Sequence, residues 1–352
     1  MASLQSQVLS GAGTLGRLAE RFHLAGWAGV SRLMGAMLIG FALVLGGCTQ
    51  APADQTDAPT ISTPRPTAVA ALATLSPAAS AANTTQVPTR PPTTPAVEAP
   101  PAAYVADPAL AALLQALAGD SLPSYGVYVK SLKDGTGASV NADKVFRAAS
   151  LFKLFVMWEA FRQESLGLIS FDTTMEVTPY YKTFELGTNA VEVGDVVTVG
   201  EALRLMMAIS DTPTGVLLQD TVGIAEINAA LEALSIDNSG LFYPGDPLAT
   251  ARDVGVLLES VAAGGRLPEA SHDAMVGLLL SEGIDYGLRA GVPSEIGVAH
   301  KTGSLPVALH DAGIVYLPGA AYVLVVLWDR QSGVDLIETI SRGVYEYYES
   351  RN

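Results

Sequence analysis

The sequence predicts an α+β fold in which one antiparallel sheet is built from both ends of the domain, with an all-helical lobe inserted between them. Three observations support this prediction. Near the start, "YGVYVKSL" (125–132), the turn "KDGTG" and "ASVN" indicate a strand hairpin. Apolar residues with helical spacing then occupy the middle of the chain. Near the end, "IGVAHKTG", "DAGIVYL" and "AYVLVVLW" indicate three further strands.

The helices follow from the same periodicity. "DPALAALLQALAG" (107–119) has helical apolar spacing that stops at a glycine before the hairpin. A last helix is predicted over "GVDLIETISRGVYEYYES" after the final strand. The helices predicted for the inserted lobe cover residues 150–162, 199–209, 212–221, 224–235, 249–264 and 268–281.

Composition narrows the class of protein. The 352 residues are 49% hydrophobic and 16% charged, which is enough to bury at least one sizeable core. The net charge of -15 argues against a nucleic-acid partner, because phosphate binding requires clustered lysine and arginine. Cys48 is the only cysteine in the sequence, so an internal disulfide is excluded. We expect a monomer.

The N-terminal region predicts export and anchoring. Residues 33–47, "LMGAMLIGFALVLGG", follow several arginines and form an apolar run that suits a signal peptide but is shorter than the roughly 20 residues of a membrane-spanning helix. "LGGC" (45–48) resembles a bacterial lipobox, which implies a lipid on Cys48. The alternative is a short transmembrane anchor with an incidental cysteine. Both interpretations place the remainder outside the cytoplasm, and we expect a signal peptide over 1–47 and a membrane-anchored lipoprotein of the cell envelope.

Residues 48–105 predict a disordered stalk. This stretch is dominated by proline, threonine, alanine and serine, as in "TRPPTTPAVEAP", and offers few bulky side chains to bury. The globular domain is therefore expected over 106–352.

Three short motifs carry candidate chemistry. Ser150 and Lys153 form S-x-x-K at the start of an apolar helix, Ser210 begins Ser-Asp-Thr, and Lys301 begins Lys-Thr-Gly at the end of a predicted strand. Each motif alone is weak. In this order and in these settings they resemble the active-site serine enzymes of the class A β-lactamase and penicillin-binding protein type. The resemblance covers about 108–352, and it implies the β-lactamase/transpeptidase-like version of the predicted fold.

The chemistry of acyl transfer gives these residues tasks. A serine hydroxyl is a poor nucleophile, so Ser150 needs a base, and a desolvated Lys153 with a lowered pKa suits that role. Ser210 suits a proton relay to the leaving nitrogen, provided that its hydroxyl reaches both lysines. Lys301 and Thr302 suit recognition of a substrate carboxylate.

The resemblance adds further substrate-binding residues. It implies an oxyanion hole formed by the backbone N–H groups of Ser150 and Ser304, together with substrate contacts at Thr212 and Gly303. Thr212 stands where the family usually has asparagine, which leaves the substrate preference open.

The sequence departs from the class A pattern at a residue that takes part in release of the acyl group. Class A β-lactamases carry E-x-x-L-N in an ω-loop, whose glutamate activates the deacylating water. The matching region here, "LSIDNSGLFYPGDPLATARD" (234–253), contains no glutamate. Asp237 and Asp246 are the only nearby acids before the next predicted helix, and Asp246 is interpreted as a turn or capping residue rather than a base.

Histidines offer a competing arrangement. His300 and His310 flank the third motif, as a Ser-His-Asp hydrolase would require, but Ser150 lacks a G-x-S-x-G setting. His300 also alternates with Lys301 along the strand, so both are not expected to point into one site. His272 lies in a predicted helix. No H-E-x-x-H spacing occurs, and we expect neither a catalytic metal nor a cofactor.

The sequence thus predicts an acyl-serine hydrolase that opens β-lactam amides through a Ser150 acyl-enzyme, with slow or unconventional deacylation. Two alternatives act on peptidoglycan peptides: a D-alanyl carboxypeptidase or endopeptidase, and a sensor that stays acylated. A structural homologue that grips cell wall without chemistry is disfavoured, because the reactive residues of all three motifs are retained.

Overall fold

The computed structural model describes residues 102–186, 190–242, 244–330 and 332–351. The expected signal peptide, Cys48 and all but the last residues of the expected stalk lie outside this part of the chain, and those expectations stay predictions. Within the described residues, no helix combines the length and the apolar character needed to cross a membrane.

The central sheet contains strands from both ends of the domain, as predicted. Its six strands lie in the order β1-β3-β2-β10-β9-β8. Strands β2 and β10 pair along the middle and so join the N-terminal hairpin to the C-terminal strands. Every pair is antiparallel except the short β1, which is parallel to β3. The strands are β1 (Val105–Ala106), β2 (Tyr125–Ser131), β3 (Thr136–Val140), β8 (Gly297–Leu305), β9 (Ala308–Leu317) and β10 (Ala320–Trp328).

The helices confirm the predicted order. They are α1 (Pro108–Ala118), α2 (Phe152–Ser165), α3 (Pro179–Lys182), α4 (Val199–Ala208), α5 (Thr212–Val222), α6 (Ile224–Ala233), α7 (Ala251–Ala263), α8 (Glu269–Leu280) and α9 (Val334–Glu349). Two small sheets pair β4 (Phe146–Arg147) with β7 (Leu248–Ala249), and β5 (Thr174–Glu176) with β6 (Val196–Thr198).

The sheet separates two hydrophobic cores. Successive side chains of a strand point to opposite faces. In β10, Leu324 and Val326 therefore share a core with α1 and α9, whereas Val323 and Val325 pack with the inserted helical lobe. Both faces are buried, which accounts for the nearly continuous apolar sequence of this strand.

The third motif lies inside a strand and not at its end. β8 continues to Leu305, two residues beyond the Lys-Thr-Gly triplet, and a two-residue turn leads into β9 at Ala308. The expected end at Gly303 was wrong because the polar and turn-forming residues that follow belong to a tight hairpin. This places the motif on an edge strand of the sheet, since β8 is the last strand in its order.

Candidate active site

Ser150 lies in a tight turn held against the sheet edge. The turn is a short 3-10 segment, Ala149–Leu151, which precedes α2 and replaces the predicted helix start at Ser150. Ala149 has a left-handed φ of 48°, which costs a non-glycine residue roughly 1–2 kcal/mol. A Cβ atom on Gly303 of β8 would lie 3.3 Å from the backbone nitrogen of Ser150. The glycine thus allows the strand to approach the nucleophile closely.

Lys153 is placed to take the proton of Ser150. Its side-chain nitrogen lies 3.2 Å from the Ser150 hydroxyl oxygen and 3.1 Å from that of Ser210. It also lies 2.6 Å from the backbone oxygen of Ser210 and 3.3 Å from Oγ1 of Thr212. A neutral amine has two hydrogens to donate and one lone pair to accept. In its neutral form Lys153 can therefore accept the Ser150 hydrogen while it donates to the second motif.

The surroundings of Lys153 favour its neutral form. Burial, which leaves the side chain no exposed surface, is the main reason that the pKa of Lys153 is lowered to about 7. The positive charge of Lys301 acts in the same direction, while Asp211 and Glu282 oppose it. A substantial fraction of Lys153 is consequently available as a base near neutral pH.

The second motif is held beside Lys153 by hydrogen bonds of Asp211. Asp211 caps α5, because its Oδ2 accepts hydrogen bonds from the backbone nitrogen of Thr214 at 2.9 Å and from the Thr214 hydroxyl at 2.7 Å. Its Oδ1 accepts from the nitrogen of Ala190 at 3.2 Å. Ser210 itself has a φ of 56°, a strained conformation of the kind often found at functional sites. The cap thus supports an arrangement that presents the Ser210 hydroxyl to Lys153.

The third motif contacts a residue that sequence reasoning missed. The Lys301 ammonium is in direct contact with Glu282, which follows α8. The relay role of Ser210 is conditional on a hydroxyl within reach of both lysines; the structure shows the contact with Lys153, while the ammonium of Lys301 contacts Glu282. The only sequence signal for Glu282 was an acid directly after the apolar run "MVGLLLS". Nothing in that spacing links it to a strand that begins at Gly297.

Two backbone N–H groups at the third motif point away from β9, one towards Glu282 and one towards the cleft. Oε2 of Glu282 accepts the backbone N–H of Thr302 at 2.8 Å, so this N–H points away from β9. Ser304 lies two residues further along the same strand, and its N–H has the same orientation because strand positions alternate. Ser304 is exposed and lines the cleft, where the resemblance requires an oxyanion donor.

The histidines have structural partners. Nε2 of His310 lies 2.8 Å from the backbone oxygen of Arg147, and its Nδ1 accepts from the nitrogen of Trp328 at 3.2 Å. Nδ1 of His272 lies 3.0 Å from the backbone oxygen of Val261. Among the described residues that line the cleft there is no histidine, so the geometry does not support a Ser-His-Asp arrangement there.

His300 directly precedes the third motif on β8. Its Nδ1 lies 2.9 Å from Oδ1 of Asp311. Burial lowers the pKa of His300, but the Asp311 carboxylate outweighs this effect and the net pKa is raised. His300 and Lys301 were not expected to share a site, yet both approach Glu282, with His300 3.8 Å from its Oε2. Both contacts are possible because the Glu282 carboxylate lies beside the edge of β8, where side chains from either face of the sheet can approach it.

A cleft of about 580 Å³ brings the predicted site residues together. It is lined by Ser150, Ser210, Thr212, Thr302 and Ser304. Its walls are largely apolar and include Tyr180, Phe184, Leu186, Ile209, Phe242 and Ile284. Lys153, Lys301 and Glu282 lie beneath this surface as buried groups.

The cleft contains one pair of charged side chains among the residues that the structure describes. Asp246 lies in a loop, and its Oδ2 is 2.5 Å from Nη2 of Arg147. Both lie at the cleft, with about half of each side chain exposed. No glutamate is found among the described lining residues. The described part of the chain also shows no group of three or more histidine, cysteine, aspartate or glutamate side chains able to hold a metal.

A model of the β-lactamase enzyme family matches residues 109–348. The structure of PBP-A is similar with a TM-score of 0.67 and 24% identity, covering 71% of this chain and 99% of that one. A point mutant of PBP-A, an acyl-enzyme complex with penicillin G, has a TM-score of 0.66 and 26% identity, covering 70% and 99%.

A β-lactamase from Sphaerobacter thermophilus has a TM-score of 0.62 and 22% identity, and the match covers 68% of this chain and 97% of that chain. None of the curated proteins matches in sequence. The family model spans more than half of the chain and includes all three motifs, from the Ser150 turn to the edge strand. The chain therefore belongs to the β-lactamase enzyme family.

Proposed function

We propose that the protein opens β-lactam amides through an acyl-enzyme on Ser150. Neutral Lys153 removes the hydroxyl proton as Oγ bonds to the lactam carbonyl carbon. The C–N bond then breaks, and the proton passes from Lys153 through the Ser210 hydroxyl to the lactam nitrogen. The observation that carries the proposal is the buried Lys153 nitrogen, which lies 3.2 Å and 3.1 Å from the two serine hydroxyl oxygens.

The oxyanion that forms during attack needs two donors. The backbone N–H groups of Ser150 and Ser304 supply them in this proposal, and the close packing of Gly303 on the Ser150 turn supports their proximity. Loss of one such donor typically costs about 3 kcal/mol of transition-state stabilisation.

Deacylation is proposed to be slow. Ester hydrolysis requires a base that activates water, and Asp246 is the one carboxylate among the described cleft residues. Its ion pair with Arg147 favours the role of a loop anchor over that of a base. The acyl-enzyme is therefore expected to accumulate.

Slow release also supports a second candidate function. A D-alanyl carboxypeptidase, an endopeptidase or a sensor on peptidoglycan peptides would use the same acylation machinery without a fast route for β-lactam hydrolysis. The resemblance to PBP-A, of which one mutant is described as an acyl-enzyme complex with penicillin G, is compatible with either function.

One experiment separates the candidates. The full chain is mixed with a chromogenic cephalosporin, and both product formation and intact mass are followed. Sustained turnover supports a β-lactamase, whereas a stoichiometric burst with a persistent acyl mass supports a sensor or peptidase. Absence of both product and adduct would overturn the proposed function.

We also propose that the protein is an extracytoplasmic lipoprotein anchored through Cys48, on the lipobox-like "LGGC". Buried methylenes contribute roughly 0.8 kcal/mol each, so stable anchoring takes two or more acyl chains. Labelling with a radioactive fatty acid should mark the expressed full chain and should not mark Cys48→Ser. Equal labelling of the two would contradict the proposal.

A further inference from the structure

Glu282 lies two residues beyond the end of α8, and its side chain is wholly buried at the edge of β8. Its Oε1 contacts the Lys301 ammonium and lies 2.8 Å from the Thr302 hydroxyl oxygen. Its Oε2 accepts the backbone N–H of Thr302 at 2.8 Å. One internal carboxylate thus takes three donors from two residues of the third motif.

These are the donors that a substrate carboxylate would require. The Thr302 hydroxyl donates to Oε1 of Glu282, because a carboxylate oxygen accepts hydrogen bonds. Lys301 has no exposed surface, and its charge is in direct contact with the opposite charge of Glu282. A contacting pair of opposite charges attracts a third charge far more weakly than an isolated ammonium does. The third motif therefore offers an anion in the cleft little net attraction.

The rest of the cleft does not supply a replacement. Arg147 is the one cationic side chain among the described lining residues, and Asp246 already neutralises it at 2.5 Å. The exposed walls are mainly apolar, with Tyr180 and Phe242 about half exposed. Such a surface favours apolar parts of a ligand, whatever the charge at its other end.

We propose that the buried carboxylate of Glu282 occupies the position at Lys301 and Thr302 where a substrate carboxylate would otherwise bind. The site should therefore bind neutral acyl donors about as well as their anionic counterparts. The inference rests on the proposed function for its choice of ligands. It assigns Glu282 a role in substrate specificity that acts through Lys301 and Thr302.

Binding measured without acylation tests this role. In the full chain carrying Ser150→Ala, calorimetry gives the dissociation constants of benzylpenicillin and of its uncharged methyl ester. The two constants are expected to differ by less than about tenfold, which corresponds to about 1.4 kcal/mol. Adding Glu282→Gln removes the internal charge but keeps the size of the side chain. The preference for the free acid should then rise by at least about tenfold, because the ligand carboxylate becomes the counter-charge of Lys301.

A matched control is available in the same domain. Glu259 is also buried, and it is paired with Lys130 at 2.6 Å, but it does not line the cleft. Glu259→Gln in the Ser150→Ala chain should leave the ratio of the two dissociation constants unchanged. A general loss of packing would change binding of both ligands equally, whereas the proposed role changes their ratio.

The outcomes are distinct. A tenfold or greater preference for the free acid before any change at Glu282 would overturn the inference, as would a lower preference after Glu282→Gln. The first comparison decides the matter even if the Gln variant does not fold. If Ser150 is acylated but the free acid binds much more tightly than the ester, the inference about Glu282 fails and the proposed function stands. Failure of both ligands to bind, together with no adduct in the unsubstituted chain, overturns the proposed function and this inference with it.

Discussion

The side-chain nitrogen of Lys153 lies 3.2 Å from the hydroxyl oxygen of Ser150, and the lysine has no exposed surface. Two consequences follow from this relationship. Burial disfavours the charged ammonium, and the short distance lets the neutral amine accept the hydroxyl proton of Ser150.

Acylation should depend on pH through Lys153. Burial lowers its pKa to about 7, so the protonated, inactive form dominates below that value and the neutral base dominates above it. The acylation rate constant should therefore rise with pH, pass half of its maximum near pH 7 and then level off. Stopped-flow measurements from about pH 5 to about pH 9 check this profile. A rate that is flat over this range would argue against a lysine base.

Replacing Lys153 with methionine removes the base but keeps an apolar, unbranched side chain in the buried position. General-base catalysis is typically worth about 10²–10⁴-fold, so the acylation rate constant should fall by several orders of magnitude. Circular dichroism and thermal unfolding should show a folded protein, because a buried amine is lost without leaving a charge behind. Acylation by Lys153→Met at the unsubstituted rate would refute the assigned role.

The Ser150 turn should store backbone strain at Ala149. Its φ of 48° suits glycine, so Ala149→Gly should increase the free energy of unfolding by about 0.5–1 kcal/mol. The neighbouring Ala148 has an ordinary helical φ of -63°, and Ala148→Gly should instead destabilise the protein by about 1 kcal/mol. Urea unfolding of both variants measures the difference. Equal destabilisation by the two changes would show that the positive φ carries no strain.

β8 approaches the nucleophile so closely that a side chain at Gly303 should displace the strand. An added Cβ would lie 3.3 Å from the nitrogen of Ser150 and from the oxygen of Ala148, so the strand must shift by a few tenths of an ångström. Since catalytic geometry is sensitive to such shifts, Gly303→Ala should slow acylation about tenfold.

Gly297 provides the control on the same strand. A Cβ there would meet Tyr316 at 3.7 Å, which is ordinary contact, so Gly297→Ala should acylate normally. Measured acylation rate constants for the two variants decide the matter, and a similar loss in both would point to general damage to β8.

Much of the site could be predicted because its signals are local. The three motifs indicate, through their resemblance to active-site serine enzymes, which residues approach the cleft, and the apolar periodicity around them places Ser150 before a helix and Lys301 on a strand. The order of hairpin, helices and strands likewise predicts which elements share the sheet. These signals depend on residues close together in the sequence.

The features that were missed depend on residues far apart in the sequence. Glu282 precedes Lys301 by 19 positions, and only the packing of α8 beside β8 brings its carboxylate to the third motif. The positive φ of Ala149 likewise follows from the docking of its turn on Gly303, because alanine alone does not prefer that conformation. The parallel pairing of β1 with β3 involves two residues of each strand, too few to leave a periodic pattern.

The central claim is that Ser150 becomes covalently acylated with the help of Lys153. The most direct test is to incubate the full chain with benzylpenicillin, digest it and locate the added mass by peptide mapping. We predict one penicilloyl group, on the peptide that contains Ser150, formed quickly in the unsubstituted chain, slowly in Lys153→Met and not at all in Ser150→Ala. An unmodified Ser150 peptide, or an adduct that persists in Ser150→Ala, would contradict the claim.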